Sequence, residues 1–281
     1  MLRYELKPQQ IQAYADFLQA EEKSTATMEK YLRDIRVFIS WLEGREATRE
    51  AAAEWKANLV EQGYAPVTVN AMLSAVNGLF GFLGWNECRI KFLKIQRRLF
   101  RDSDRELSRG EYERLLASAR EQGRERLALL METICSTGIR VSEVQYITVE
   151  AVRLGRAEIA LKGKFRVILL PVKLCRKLKM YADKEKTASG AIFRTKSGKE
   201  LGRRQIWAEL KGLCKYAGVN PEKVFPHNLR HLFATIFYKA SKDIVHLADV
   251  LGHSSIETTR IYLLTSGAEH AQQLERLGLV T

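Results

Sequence analysis

Prolines are scarce in this chain, which has only five of them in 281 residues. A proline inside a helix removes a hydrogen bond and clashes with the preceding turn, so a proline-poor chain keeps long stretches free to be helical. Apolar residues also recur at intervals of three and four, as in Met28, Tyr31, Leu32 and Ile35. That spacing is typical of an amphipathic helix. We therefore expect a mainly α protein.

Four helices are predicted in the first hundred residues, at about 8–21, 27–42, 48–62 and 68–85. Pro8 stands near a helix start, where proline is favoured, and Ser24 or Thr25 offers an N-cap oxygen to the second helix. Residues 1–88 are accordingly predicted to form one helical domain. Residues 89–106 are rich in lysine and arginine and predict a basic linker that lies against something acidic.

The second domain, 107–281, is predicted to be mostly helical with a small antiparallel β-sheet. Ser108 and Glu111 have the spacing of a capping box, and helices follow at about 108–121, 123–136 and 140–147. The segment AEIALKGKFRVILLP reads as two strands around a tight turn, within a β region at 148–171. Helices are predicted again at 172–185, 204–217, 228–240, 243–251, 255–263 and 267–278.

The charge of the chain is strongly positive, with 46 lysines and arginines against 33 acidic residues and a formal net charge of +13. Residues 1–100 contribute +2 of this charge and the remainder contributes +11. An excess of this size favours a polyanion partner, of which nucleic acid is the commonest. A basic enzyme that binds no polyanion explains the charge about equally well.

Several classes of protein are disfavoured. No run of about 18 apolar residues predicts a membrane span, and the N-terminus lacks the apolar core of a signal peptide. The four cysteines lie far apart with no CxxC pair, which argues against a zinc knuckle or a disulfide framework and fits a reducing cytoplasm. We expect a cytoplasmic protein without a cofactor.

Four short segments carry residues suited to chemistry on phosphate. They are TGIRVSE at 137–143, PHNLRH at 226–231, LGH at 251–253 and TTRIY at 258–262. Arginine forks match phosphate oxygens, histidines donate hydrogen bonds or move protons, and a tyrosine can act as a covalent nucleophile. Without a carboxylate cage, this set favours phosphoryl transfer in which cations do the work of a metal.

Each of these residues also has an ordinary structural explanation. Arg140 fits a helical ion pair with Glu143, His253 fits a helix C-cap, and Tyr262 fits a core side chain. His227 and His231 have the spacing of two zinc ligands, but Asn228 stands where the glutamate of HExxH would be, so no metal is predicted.

The order of the segments TGIRVSE, HNLRHLFAT, LGHSSIETT and RIY resembles the tyrosine recombinase, or phage integrase, family over nearly the whole chain. The nine-residue step from His253 to Tyr262 is also that of the family, and TATMEKYLRDIRVFISWLEG resembles its N-terminal helices. The resemblance implies a four-helix SAM-like core-binding domain at 1–88 and a catalytic domain at 107–281. An arm-binding domain is not expected, which favours an Xer-like recombinase or a small mobile-element integrase.

The resemblance also implies a mechanism. Tyr262 would attack a DNA phosphate to form a 3′-phosphotyrosyl bond, while Arg140 and Arg230 hold the non-bridging oxygens. His227 and His253 would add hydrogen bonds to the phosphate, with His227 as acceptor of the tyrosine proton. A lysine on the hairpin would protonate the leaving 5′-oxygen, and Glu143 would buttress the site.

The hairpin lysine is not fixed by the resemblance. KGKFR is about one residue shorter than the KGxKxR usual in the family. We favour Lys162 over Lys164.

Double-stranded DNA is the partner that the resemblance implies, clamped between the two domains. Lys30, Arg33, Thr68 and Asn70 are the predicted contacts in the first domain. The amphipathic C-terminal segment would dock on a neighbouring protomer, giving a homotetramer on paired sites, or else fold back on its own domain. A second recombinase or an accessory protein is an additional partner to consider.

Two other functions use the same residues. A topoisomerase-like strand transferase would cleave and rejoin DNA without strand exchange. A catalytically silent relative would bind DNA as a regulator or architectural protein.

Overall fold

The structure is a computed structural model that describes residues 4–95, 103–161, 164–195, 197–263 and 275–277. The chain divides into two compact units, Met1–Arg97 and Arg98–Thr281. Helices dominate both, and the described strands form a two-stranded antiparallel sheet in the second unit. The predicted fold class is confirmed.

The described part of the first unit has four α-helices, and their ends follow the local sequence signals. The Ser24 hydroxyl accepts a hydrogen bond from the Thr27 N–H, and Thr48 does the same for Ala51, so both helices begin at a capped residue. The helices are α1 Pro8–Ala20, α2 Thr25–Leu42, α3 Arg49–Glu61 and α4 Pro66–Phe82.

Aromatic side chains fill the core between these helices. Phe38 lies 4.9 Å from the ring of Trp55 and 6.0 Å from that of Phe80, centroid to centroid. All three are fully buried. Rings of this size bury more apolar surface than most side chains, so they dominate the packing of a small helical unit.

Two asparagines of α4 bind the chain that follows the helix. The Asn77 amide donates to the Ile90 carbonyl at 2.9 Å, and its oxygen accepts from the Ile90 N–H at 3.0 Å. Asn70 makes the same pair of bonds with Leu93, at 2.9 and 2.8 Å. Residues 90–93, inside the stretch predicted as linker, are therefore packed on the first unit.

The second unit begins with the predicted capping box. The Ser108 hydroxyl accepts from the Glu111 N–H at 3.2 Å, and Glu111 accepts from the Ser108 N–H at 2.7 Å. The α-helices and strands that follow are α5 Arg109–Glu121, α6 Glu125–Thr137, α7 Val149–Leu154, β1 Arg156–Leu161, β2 Lys164–Leu169, α8 Val172–Lys184, α9 Arg203–Lys211, α10 Cys214–Ala217, α11 Pro226–Ser241, α12 Ile244–Leu251 and α13 Ile256–Thr259.

The second unit departs from the prediction in four places. The helix predicted at 255–263 is the short α13 followed by a 3₁₀ turn, Arg260–Leu263. The helix predicted at 140–147 is a 3₁₀ turn, Val141–Tyr146, and the one predicted at 204–217 is divided into α9 and α10. A short helix, α7, lies inside the predicted β region because Thr148 caps its start and Gly155, at φ +69°, ends it. The helix predicted at 267–278 lies outside the described residues except for 275–277.

The hairpin of β1 and β2 has one buried and one exposed face. Its register pairs Arg156 with Leu169 and Ile159 with Arg166. Since alternate residues of a strand point to opposite faces, Arg166 shares the inward face with buried Ile168, while Phe165 and Val167 are exposed.

Helix α6 places a loop against α11. It ends at Gly138, whose φ of +64° favours glycine. A Cβ at this position would also collide with the Phe233 ring of α11. The close approach puts Gly138 against α11, where Arg230 donates to its carbonyl.

Candidate active site

The first part of the site is built around a buried carboxylate. Glu143 accepts the backbone N–H of Arg140 at 2.8 Å and the Arg140 Nη1 at 2.9 Å. The carboxylate is almost completely buried, whereas 41% of the Arg140 side chain is exposed. Arg140 is thus held at its base and leaves part of its guanidinium fork open.

Arg230 is the most deeply placed cation of the site. It lies one turn into α11 and is only 2% exposed. Its guanidinium donates to the carbonyls of Gly138 and Leu251, the latter at 2.8 Å. Burial, and then repulsion from Arg140, lowers the pKa of Arg230 to about 10, so it stays charged at neutral pH. Arg230 therefore joins the ends of α6 and α12.

His253 follows Gly252 at the end of α12 and is held by two partners. Its Nε2 lies 3.0 Å from Arg230 Nη2, and its Nδ1 lies 2.9 Å from Thr259 Oγ1. Burial, followed by the charges of Arg230 and Arg140, lowers the pKa of His253 to about 4. The ring is neutral at pH 7, and because a guanidinium only donates, Nε2 must accept and Nδ1 must carry the proton.

His227 is the second residue of α11 and lines the same site. Its side chain is partly open to solvent, yet desolvation by the surrounding protein and then repulsion from Arg230 and Arg140 lower its pKa. His227 is consequently neutral at pH 7 and can accept a proton.

His231, one turn after His227, contacts a glutamate and the ring of Tyr262. Its Nε2 lies 3.7 Å from Glu106 Oε1, and its ring meets that of Tyr262 edge to face at 4.8 Å. No group of three or more metal-ligating side chains occurs among the residues that the structure describes.

Tyr262 is both a core residue and a neighbour of the histidines. Only 4% of it is exposed, and it packs in a cluster with Ala234, Leu247 and Leu251. Its ring lies parallel to that of His253, 6.2 Å away between centroids. Tyr262 therefore packs as a core side chain and also lies beside the histidines of the site, so its burial does not exclude a role as nucleophile.

A cavity of about 450 Å³ brings five of the predicted site residues together. The sequence reasoning missed Arg203 and Trp207 of α9, which line it as well. The only signal in the sequence was a basic start followed by an aromatic residue, RRQIW. The five predicted residues that line the cavity are Arg140, His227, Arg230, His253 and Tyr262.

Arg166 is a further residue that the sequence reasoning did not single out. Its Nη1 lies 3.3 Å from each oxygen of Glu143, and its Nη2 donates to the Val250 carbonyl at 2.7 Å. The sequence feature that could have indicated Arg166 is its place as the last residue of the hairpin motif KGKFR.

The structure does not decide between the two candidate lysines. Lys162 lies outside the described residues, and Lys164 opens β2 opposite Leu161. The preference for Lys162 stays a prediction.

The predicted DNA contacts of the first unit divide into two groups. Lys30, Arg33 and Thr68 line one groove of about 320 Å³. There the buried Asp34 carboxylate lies 2.9 Å from Lys30 Nζ and 3.1 Å from Arg33 Nη2. Asn70, in contrast, uses both ends of its amide on the Leu93 backbone.

Profiles of known families match both parts of the chain. The phage integrase family matches residues 105–268, and the N-terminal SAM-like domain of phage integrases matches residues 11–87. The chain belongs to the phage integrase family.

Characterised relatives narrow the class. The chain is 29% identical to the tyrosine recombinase XerA of Pyrococcus furiosus, over 98% of this chain and 96% of XerA. It is 31% identical to the tyrosine recombinase XerC of Roseiflexus castenholzii, over 90% of this chain and 88% of XerC. It is an enzyme of the site-specific tyrosine recombinase class and is similar to the Xer recombinases.

Solved structures share the fold. A lambda integrase fragment bound to a core site matches with a TM-score of 0.75 at 18% identity, over 94% of this chain and 96% of that one. The XerH recombinase bound to its difH substrate matches with a TM-score of 0.66 at 22% identity, over 95% of this chain and 84% of XerH.

In the described residues, no helix is long and apolar enough to cross a bilayer.

Proposed function

We propose that this recombinase cleaves and rejoins double-stranded DNA through a 3′-phosphotyrosyl bond on Tyr262, without a metal ion. The observation that carries the proposal is the cavity that Tyr262 shares with three arginines and two histidines. The carboxylate nearest to them, Glu143, is buried and already bonded to Arg140 and Arg166. This donor set suits an anion rather than a cation.

Arg140 and Arg230 bind the non-bridging oxygens of the scissile phosphate. Negative charge grows on these oxygens in the transition state, and fixed donors stabilise it without reorganising. Both arginines are held in advance, one by Glu143 and the other by the carbonyls of Gly138 and Leu251. Charge-assisted bonds of this kind are about twice as strong as neutral ones.

The protons follow a simple path. The Tyr262 oxygen attacks phosphorus while His227, which is neutral, accepts the phenol proton. The bond from phosphorus to the 5′-oxygen breaks, and the hairpin lysine, Lys162 by preference and Lys164 otherwise, gives that oxygen a proton. The phosphotyrosine keeps the energy of the broken phosphodiester, so the reverse attack by a 5′-hydroxyl of a second strand rejoins DNA without ATP.

The partner follows from the charge and from the relatives. XerH and a lambda integrase fragment are bound to DNA in the solved structures that share this fold, and this chain has a net charge of +13. We assign duplex contacts to Lys30, Arg33 and Thr68. The contact by Asn70 stays a prediction, since its amide is bonded to the Leu93 backbone in the DNA-free protein.

The assembly is a homotetramer on paired sites, in the cytoplasm, with residues 1–88 as core-binding domain and 107–281 as catalytic domain. A second recombinase in place of two of the four copies is the alternative arrangement.

The test is covalent trapping on nicked duplexes, first selected from a randomised pool for binding to the chain. Cleavage beside a nick releases a short fragment, so the tyrosyl bond cannot be reversed. In EDTA we expect an adduct on a denaturing gel, with the modified peptide containing Tyr262. Tight binding without an adduct would favour the catalytically silent relative. Relaxation of supercoiled DNA without joining of two marked duplexes would favour the topoisomerase-like enzyme.

A further inference from the structure

We propose that Arg166 is a positioning residue for the phosphate-binding side of the site, acting through Glu143 on Arg140 and through the turn at Val250–Gly252 on His253. The proposal rests on the function proposed above. Arg166 is not among the residues that line the cavity, so it would act through these neighbours and not on DNA.

Strand geometry aims Arg166 inward. On either side of it, Phe165 and Val167 are exposed on the outer face of the hairpin, whereas only 11% of the Arg166 side chain is exposed. Removing a guanidinium from water is unfavourable unless partners replace the water. Its burial therefore points to contacts that fix its place.

The first of these contacts shares a carboxylate with Arg140. Arg166 Nη1 lies 3.3 Å from both oxygens of Glu143, and Arg140 Nη1 lies 2.9 Å from Oε1 of the same group. Glu143 is thus held between two guanidiniums and the Arg140 N–H. Without Arg166 the carboxylate loses one of its fixed donors, and the open fork of Arg140 loses part of its anchor.

The second contact supports the turn that carries His253. Arg166 Nη2 donates to the Val250 carbonyl at 2.7 Å. A Cβ built on Gly252 would lie 2.5 Å from Arg166 Cδ and 2.8 Å from its Nε. The arginine stem therefore occupies the space under Gly252, whose own carbonyl accepts from Arg140 at 3.3 Å.

One nitrogen of Arg166, its Nε, is buried without a hydrogen-bond partner among the described residues. An unpaired buried donor costs free energy. The bonds that Nη1 and Nη2 make to Glu143 and Val250 must therefore offset the cost of the unpaired Nε. The side chain is placed to reach Glu143 and Val250 at once.

The kinetic test compares two substrates. A methylphosphonate at the scissile position removes one charged oxygen, so its transition state demands less from Arg140. For Arg166→Met we expect adduct formation to fall by about 10²-fold on ordinary DNA, the cost of a misplaced group. The deficit of Arg166→Met relative to the wild type should be smaller on methylphosphonate DNA, and we expect the same of Arg140→Ala. Equal deficits on both substrates would overturn the proposal, as would no deficit at all.

A matched control separates positioning from loss of a part-buried arginine. Arg126 donates to the Arg194 carbonyl and lies 2.7 Å from Glu209, in the same unit but outside the cavity lining. Arg126→Met should lower the melting temperature without changing the ratio of rates on the two substrates.

A second measurement needs no cleavage. Arg166→Lys keeps the positive charge but loses the planar guanidinium. A change in the pKa of His253 in this variant therefore reports the position of the side chain and not the loss of its charge. By NMR titration we expect the pKa of His253 to rise from about 4 in Arg166→Lys and to stay unchanged in Arg126→Met. An unchanged His253 in a folded Arg166→Lys protein would overturn the proposal. If the wild type forms no adduct, the proposed function fails while this result still decides the role of Arg166.

Discussion

Arg230 donates to the ring nitrogen of His253 that a phosphate would need, with Nη2 and Nε2 3.0 Å apart. Because Arg230 has no acceptor, Nε2 accepts in the DNA-free protein, and the proton on Nδ1 is engaged with Thr259. To donate to a phosphate at Nε2 while keeping its bond to Thr259, His253 either changes tautomer, with the Thr259 hydroxyl then donating to Nδ1, or takes up a second proton. The negative charge of a bound phosphate favours the second route.

Binding of DNA should therefore be linked to proton uptake. His253 has a pKa of about 4 in the free protein, and the charge of a bound phosphate raises it. Because the complex holds more protons, affinity should increase as the pH falls. Calorimetry at pH 5.5 in buffers of different ionisation enthalpy should give about one proton per protomer. His253→Gln should lose this uptake and His227→Gln, the control, should retain most of it.

Stability should depend on pH through the same rings. The folded pKa of His253 and that of His227 lie below the ordinary value of 6.5, so the unfolded chain binds the protons more readily. Their contribution is complete above pH 6.5 and is lost as the pH falls toward 4. Urea unfolding at pH 7 and pH 5.5 should show a smaller loss in His253→Gln than in the wild type. An equal loss of unfolding free energy in the two proteins would contradict the lowered pKa of His253.

Tyr262→Phe should abolish the covalent adduct and leave binding of duplex DNA nearly unchanged, since only one hydroxyl is removed. The ring packing with Ala234, Leu247 and Leu251 is retained, so the melting temperature should also hold. The measurements are adduct formation on nicked DNA, gel-shift affinity and thermal unfolding. An adduct with the variant would mean that another residue is the nucleophile.

Gly252→Ala should destabilise the protein in a way that depends on Arg166. Alanine is strained at φ +62° and would also clash with the arginine stem. In an Arg166→Ala background the clash is absent, and a penalty of roughly 1–2 kcal/mol for the backbone remains. The free energies of unfolding should accordingly be non-additive in a double-mutant cycle. Additive values would indicate that the two residues do not meet.

Arg33→Ala should weaken the salt dependence of DNA binding. If about eight phosphates are neutralised, the slope of log affinity against log salt is near −7, and each lost contact reduces it by about 1. Arg49→Ala, which removes an exposed arginine of the same unit outside the groove, is the matched control. Equal slopes for the two variants would argue against a contact by Arg33.

Local signals predicted much of this fold, because caps and apolar spacing act within one or two turns. Ser24, Thr48 and Ser108 all cap helices close to the predicted starts. The segments that line the cavity were also predicted, since the order of their arginine, histidine and tyrosine residues can be recognised in the sequence alone.

Features that depend on distant contacts were not predicted. The inward position of Arg166 follows from the strand register and from Val250, 84 residues away. Asn70 binds Leu93, 23 residues away, which no local pattern indicates. The prediction of Asn70 as a DNA contact considered only its place near the start of a helix.

The burial of Tyr262 has a consequence for the resting enzyme. With 4% of the side chain open to water, the Tyr262 hydroxyl is met by a phosphate only inside the cavity that Arg140 and His227 also line. A duplex that touches only the outer surface of the protein therefore stays out of reach of the nucleophile.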